Sequence, residues 1–436
     1  MGKLCLTLPP FSPDYSGVCS TLFSFDALTV IHDASGCTGN YTGYDEPRWF
    51  HSRAPIYCSG LREIDAILGD DEKLVQKVLY ALEDVKPEII ALVGSPVPMV
   101  IGADMEGIAA EIENRTGIMS FGFSTTGIGY YPIGIQMVYK KVIQRILEED
   151  EKQFLEKENI DKNRSKIVEK EEQSNTKDEN NIISEKEYSV NILGATPIDF
   201  GNSTTLKDLE QFLIENGLKI NVSLWNETKK ADIVKLKNAD CNIVVSCAGV
   251  ELAEYMEQKY QIPYVTGLPF GEQYSKIWLS ELKQHIEKRK TLKVDLEQKV
   301  AFMNKEETIV QQKMTLMNEE NNRAESKVLI IGEQFQSNSI RNAIEIEYSI
   351  HCDVAGICGW NANFARENDK FLESEQEIQT ILNQENYDLI IGDSLYKGLL
   401  YNEKKFYEYS HYAVSSKLGN HKVKSLIQKN IQINFK

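Results

Sequence analysis

Short, unbroken apolar runs recur along this chain, and each is followed by a segment with helical spacing. "EIIALVGS", "CNIVVSC", "KVLIIGE" and "YDLIIGDS" share this form. A run that is apolar at every position buries both of its faces, as a central strand of a parallel sheet does. Between the runs lie segments such as "DEKLVQKVLYALEDVKP" and "TLKDLEQFLIENGLK", whose apolar residues fall on one helical face. Strand, helix and strand with short connections make βαβ units. The pattern predicts an α/β chain of three Rossmann-like, doubly wound parallel-sheet domains, at 1–147, 188–275 and 326–436. "MVIGADMEGIAAEIENRTG" reads as one helix ending at Gly117, and the tail beyond residue 400 as irregular.

Two stretches break the alternation. Residues 148–187 hold 14 acidic and 8 basic residues, a single aromatic and no glycine. Such a composition buries too little apolar surface to offset ordering entropy, so a charged, disordered insert is expected, helical at its start. Residues 276–325 read as a long helical connection, whose methionine stripe in "FMNKEETIVQQKMTLMNEE" reads as a packed helix rather than a cofactor box.

The net charge of −17 argues against nucleic acid or an anionic membrane as a partner. No apolar run is long enough to span a bilayer. Pro9 and Pro10 interrupt any signal-peptide core, and a cytoplasmic location is expected. The eight cysteines are too scattered for a disulfide framework and are expected as thiols. The chain has no P-loop, no three-glycine dinucleotide fingerprint, no G-x-S-x-G elbow, no H-E-x-x-H helix and no C-x-x-C.

In doubly wound sheets ligands bind beyond the carboxyl ends of the strands. The loop after "ALTVIHD" is the one that stands out. In "HDASGCTGNYTGYDEPRW", Cys37 sits between Gly36 and Thr38 in a turn rich in glycine and hydroxyls. A thiol there is either incidental or a ligand. Iron–sulfur clusters need thiolates, and a glycine-containing loop lets backbone N–H groups point at sulfur.

Several stretches, in order, resemble the nitrogenase component 1 family. "HDASGC" is similar to its H-G-P-x-G-C segment, and "EIDAILGDDEKLVQKV" to its E-x-D-x-V-F-G-G segment. "VPMVIGADMEGIAAEIENRTGI" resembles its V-I-G-D-D segment, and "MEQKYQIPYV" followed by "PFG" its E-E-K-Y-G-I-P segment. "KVLIIGEQFQSNSIRNAIE" fits the first strand and helix of a further domain. The resemblance implies a three-domain subunit that pairs with a second component 1-like subunit or with its own copy. It also implies an iron–sulfur cluster held by cysteines and electrons received from a separate ATP-dependent iron–sulfur reductase.

By that resemblance Cys37 is the cysteine that ligates a cluster bridging two subunits. The family has three such cysteines, and this chain departs from the pattern. Pro96 falls at the third position, with Ser95 beside it. Cys19 takes the first position only if its loop is shortened, and Cys58 is a candidate replacement for the third. The implied metal set is Cys19, Cys37 and Cys58, short of one ligand that a partner would complete. Cys247, in "VVSCAG", falls near the cysteine that binds the active-site cofactor in nitrogenase α chains. A second metal, a tetrapyrrole or an empty pocket are all compatible with it. The family's cofactor-binding histidine has no match, and His411 reads as structural. Arg48 and Trp49 either cover the cluster loop or pack ordinarily. Gln336 to Ser339 read as helix-capping material, Asp393 as a cap or site residue, and the remaining cysteines as core. The implied activity is that of a nitrogenase-like oxidoreductase with an unidentified substrate. The alternatives are a scaffold for metal-cofactor assembly and a degenerate structural partner.

Overall fold

Every sheet in the computed structural model is wholly parallel. The structure describes residues 5–51, 54–168, 188–294, 328–419 and 423–432. The first sheet holds β1 (Leu28–Ile31), β2 (Ile56–Cys58), β3 (Ile89–Val93) and β4 (Met119–Phe123) in the order β2-β1-β3-β4. The second holds β5 (Tyr188–Leu193), β6 (Leu218–Ser223), β7 (Cys241–Val244) and β8 (Tyr264–Thr266) in the order β6-β5-β7-β8. The third holds β9 (Val328–Gly332), β10 (Cys352–Gly356), β11 (Lys370–Phe371), β12 (Leu389–Gly392) and β13 (Lys405–Glu408) in the order β11-β10-β9-β12-β13.

Apolar runs form the inner strands, and β4, at an edge of its sheet, is as fully buried. β1, β3, β4, β7 and β12 are buried at every position, as a sheet covered on both faces requires. Each order has one switch point, where the chain steps from one side of its first strand to the other. These lie between β1 and β3, between β5 and β7, and between β9 and β12. At such points the loops beyond the strand ends diverge and leave a crevice.

The fold departs from the sequence reading in small, explicable ways. The segment after β3 is two helices, Pro96–Ile101 and Met105–Thr116. Gly102 takes a left-handed φ of 72° and Asp104 caps the second helix through the Gly107 N–H. The strands β2, β11 and β13 escape the pattern because they are short and partly exposed, so no unbroken apolar run marks them, and β13 falls in the tail read as irregular. The helix Gln144–Val168 runs into the acidic stretch, and 169–187 lie outside the described residues. The helix Glu272–Val294 begins the long connection, whose remainder, with the methionine stripe, also lies outside them. Among the described residues no helix is long and apolar enough to cross a membrane.

Two helices tie the first sheet to the other two. Asp14–Ser24 crosses Tyr131–Val138 at a pair of glycines. A Cβ at Gly17 would overlap the Tyr131 carbonyl, and one at Gly134 the Asp14 carbonyl. Backbone therefore meets backbone, which holds Tyr15 and Tyr131 in place at the first turns of their helices.

Candidate functional site

Two groups of side chains sit at the switch points. The first is at the ends of β1 and β3. The Asp33 Oδ2 atom accepts from the N–H groups of Ser35 (3.0 Å) and Thr38 (3.1 Å). That carboxylate fixes the turn, in which Ser35 takes an unfavourable φ of 145°. The turn starts the short helix Gly36–Asn40, with Cys37 in its first turn and half-buried. The Cys37 thiol lies near the Tyr15 and Ser95 hydroxyls and the Asp33 carboxylate. Burial first, and then the Asp33 charge, push its pKa up, while the Tyr15 and Ser95 hydroxyls pull it down.

Ser95, rather than Pro96, is the residue placed against Cys37. It is buried at the N-cap of Pro96–Ile101, and its hydroxyl donates to the His32 carbonyl (2.9 Å). Cys58 ends the edge strand β2, opposite Ile31. Its thiol donates to the Asp33 carbonyl (3.3 Å) and accepts from the Gly60 N–H (3.4 Å). Cys37 and Cys58 thus meet different parts of the same residue. Cys19 is fully buried in the middle of its helix, where burial and the carboxyls of Glu46 and Asp45 hold its thiol well above the ordinary range. Among the described residues, no three His, Cys, Asp or Glu side chains are gathered as a metal ion needs. Arg48 is packing: it pairs with Glu46 (2.7 Å), donates to Ser24 (2.8 Å) and lies over Phe23.

The second group lies where the switch points of the second and third sheets face the start of Tyr131–Val138. Asp199, after β5, accepts from the Tyr131 hydroxyl (2.5 Å) and from Thr196 Oγ1 (2.9 Å). Glu333, after β9, accepts from the N–H groups of Cys247 (2.8 Å) and Gln336 (2.9 Å). Cys247 follows β7, and a Cβ at Gly359 would overlap its sulfur. Cys358, next to Gly359, takes a left-handed φ of 64°. The His411 backbone N–H donates to Asp393 Oδ2 (2.9 Å). The His411 ring Nε2 stands 4.0 Å from Asp199 Oδ1 without a hydrogen-bond partner.

Burial dominates the electrostatics here. Asp199 is pushed up to about 8, by burial and then by the Glu333 charge. Burial pushes Glu333 up to about 7 and His411 down to about 4. The thiols of Cys247 and Cys358 are driven well above their usual range for the same reason. The Ala413 N–H donates to His411 Nδ1 (3.3 Å), which leaves the ring hydrogen of the neutral imidazole on Nε2. The group is joined by hydrogen bonds among its own members, Tyr131 to Asp199 and the Cys247 backbone N–H to Glu333.

Cys37 and Cys247 each stand at a strand-end crevice. His411, read as structural, belongs to the central group. Tyr131, Asp199 and Glu333 do not stand out in the sequence. Their one signal is position: both carboxylates come just after a buried strand, and "TPID" carries a capping-box pattern.

The family profile described as Nitrogenase component 1 type Oxidoreductase matches residues 15–405. The chain is 23% identical over 208 residues to a light-independent protochlorophyllide reductase chain of Picosynechococcus sp., covering 47% of this chain and 36% of that one. It is 23% identical over 257 residues to the nitrogenase iron-molybdenum cofactor biosynthesis protein NifE of Methanosarcina barkeri, covering 56% of this chain and 49% of that one. These matches span about half or less of the relatives' own length. The solved structure "Nitrogenase Cp1 at pH 6.5" superposes with a TM-score of 0.53 at 16% identity, covering 93% of this chain and 70% of that one. At that identity the likeness is one of fold, and it agrees with three parallel-sheet domains. With its sheets, its switch-point loops and a profile match over nearly all its length, the chain belongs to the nitrogenase component 1 type oxidoreductases.

Proposed function

We propose that this chain is a subunit of a nitrogenase-like oxidoreductase. It accepts electrons from an ATP-dependent iron–sulfur reductase at a cysteine-held cluster and serves the reduction of a substrate in the central group. The observation that carries this reading is the placement of Cys37. It is half-exposed at the first switch point, beside a tyrosine hydroxyl, on a turn built by Asp33. An iron–sulfur cluster bound there would supply one-electron storage. Cys37 would hold it, with Cys58 the nearest further candidate in the same loop system. Cys19, deep in its helix, would need that helix to unwind locally.

The donor set of one chain is short, so the reading requires a second component 1-like subunit or a second copy. An exposed apolar surface suits such a partner. Ile67, Leu68 and Val100 are exposed on the helices Glu63–Leu68 and Pro96–Ile101, which flank one cleft beside His32. In the central group Cys247 is the proposed cofactor- or substrate-contacting thiol. The support for a tetrapyrrole-like molecule there is that one matched relative belongs to a protochlorophyllide reductase.

A second reading is a scaffold or structural partner without catalysis. It is favoured by the incomplete ligand set and by the match to a cofactor-biosynthesis protein. Iron and acid-labile sulfide per chain, on protein purified without oxygen, separate the two. About two or more irons per chain are expected in the wild type, lost in Cys37→Ala. Folded wild-type protein free of iron would sink the cluster and move the structural-partner reading to first place.

A further inference from the structure

We propose that the helix Tyr412–Gly419 is a strained clamp coupling the central group to the Cys37 turn, with Tyr412 and Ser416 as its positioning residues. The inference rests on the reading that those two places are the sites of this chain, and it concerns the element that joins them.

The clamp closes on the end of the segment that holds Cys37. The short helix Gly36–Asn40 continues as a wider π turn over Tyr41–Asp45. The last carbonyls of a helical segment have no partner within it and must find one elsewhere. For Tyr44 the chain beyond β13 supplies it. The Tyr44 carbonyl accepts from the Tyr412 hydroxyl (2.8 Å) and from Ser416 Oγ (2.5 Å), which uses both of its lone pairs.

The other end of the same helix is anchored in the central group. The His411 carbonyl accepts from the N–H groups of Val414 (3.0 Å) and Ser415 (3.1 Å), and the His411 ring accepts from Ala413 (3.3 Å). His411 therefore sets the first turn, and Tyr412 follows it directly. The helix also packs against Pro197–Phe200, which carries Asp199. One short element thus touches both groups.

Its backbone is strained. Ser416 takes a φ of 47° and a ψ of −136°, a conformation that suits glycine, and breaks the helix there. Such a residue persists only where its surroundings hold it, at a cost similar to what a hydrogen bond returns. The bond to Tyr44 is that hold. If Ser416 relaxes to a negative φ, Oγ swings off the carbonyl and Tyr412 holds it alone. The clamped and released states are therefore close in energy, as a switch needs. The His411 ring Nε2 has no partner in the clamped state. An occupant of the central group that bonds it in only one state shifts the balance, and the Cys37 turn feels the shift.

The test is amide hydrogen exchange of the full-length protein, read by mass spectrometry. In Ser416→Ala, exchange across residues 41–46 should rise about tenfold, the worth of one hydrogen bond, while the helix Met105–Thr116 keeps its rate. Ser416→Gly loses the bond and the strain together, so a smaller rise is expected, and it serves where Ser416→Ala does not fold. His411→Ala perturbs the other end. It should raise exchange at 41–46 in the wild-type background and add little in a Ser416 variant, whose clamp is already open. Unchanged exchange at 41–46 in the Ser416 variants or in His411→Ala would overturn the proposal. So would a His411→Ala effect of equal size in both backgrounds, or a matching rise in Met105–Thr116. The outcome is separable from the iron assay. If wild-type protein holds no iron and the two ends still couple, the cluster reading fails and the clamp stands. If iron is lost in Cys37→Ala and the ends do not couple, the reverse holds.

Discussion

Gly134→Ala is expected to destabilise the protein by about 3 kcal/mol or more, at or beyond the upper end of overpacking costs. Most such substitutions push against side chains, which can change rotamer. Here the added methyl meets the Asp14 carbonyl and the Val18 N–H, both part of a helix backbone. The neighbouring helix cannot yield locally, because Gly17 is locked in the same way against the Tyr131 carbonyl. Relief requires the two helices to separate, which drags Asp14 from the Thr126 and Gly127 N–H groups (3.0 and 2.8 Å). Urea unfolding of Gly134→Ala beside Gly39→Ala measures this, since a Cβ at Gly39 meets nothing within 4 Å. A loss below about 1 kcal/mol in Gly134→Ala would show that the crossing is loose. The first turns of the two helices carry Tyr15, near Cys37, and Tyr131, on Asp199, so the crossing sets the spacing of the two candidate groups.

How much of this is legible in the sequence depends on how many segments a feature needs. A strand buried on both faces writes its whole environment into consecutive residues, so β3, β7, β9 and β12 can be read directly. The edge strand β2 cannot, since Tyr57 faces solvent and only three residues pair. Cys37 is legible because a single turn builds its setting. Ser95 lies one residue away from the position that the family pattern suggests, and only the end of β3 decides which residue meets the thiol. The central group is the least legible. Asp199 and Glu333 are ordinary surface residues by type, and their burial comes from Tyr131, Cys247 and His411 arriving from distant parts of the chain. His411 reads as structural because its neighbours in sequence carry no ligand pattern. Its unpartnered Nε2 is a property of the assembled fold. Position after a buried strand and a capping pattern mark Asp199 and Glu333 as caps, and neither marks them as enclosed.

That enclosure has a measurable consequence for stability. In the fold Asp199 keeps its proton up to about pH 8, whereas the unfolded chain releases it near the ordinary value of 3.8. Between those values the folded state binds more protons, so stability falls as pH rises, by up to about 1.4 kcal/mol per unit for one group. Glu333 acts with the same sign up to about pH 7. His411 acts with the opposite sign. Its folded value of about 4 lies below the ordinary 6.5, so over that interval the unfolded chain binds more protons and stability rises with pH. Below about pH 6.5 the imidazole therefore offsets one carboxyl. Above it that opposition ends, and Asp199 carries the slope to about pH 8. Wild-type stability is expected to drop by on the order of 2 kcal/mol across that last interval. Asp199→Asn should remove most of the drop, because its amide oxygen still accepts from Tyr131 and nothing there titrates. The variant should be the less stable protein near pH 5, because its amide brings two N–H hydrogens among groups that donate to Asp199, where the wild-type acid brings one O–H. It should equal or exceed the wild type near pH 8. Urea unfolding of both proteins across this range decides it: parallel slopes would mean that Asp199 is already ionised in the fold, held by Tyr131, Thr196 and a closer His411.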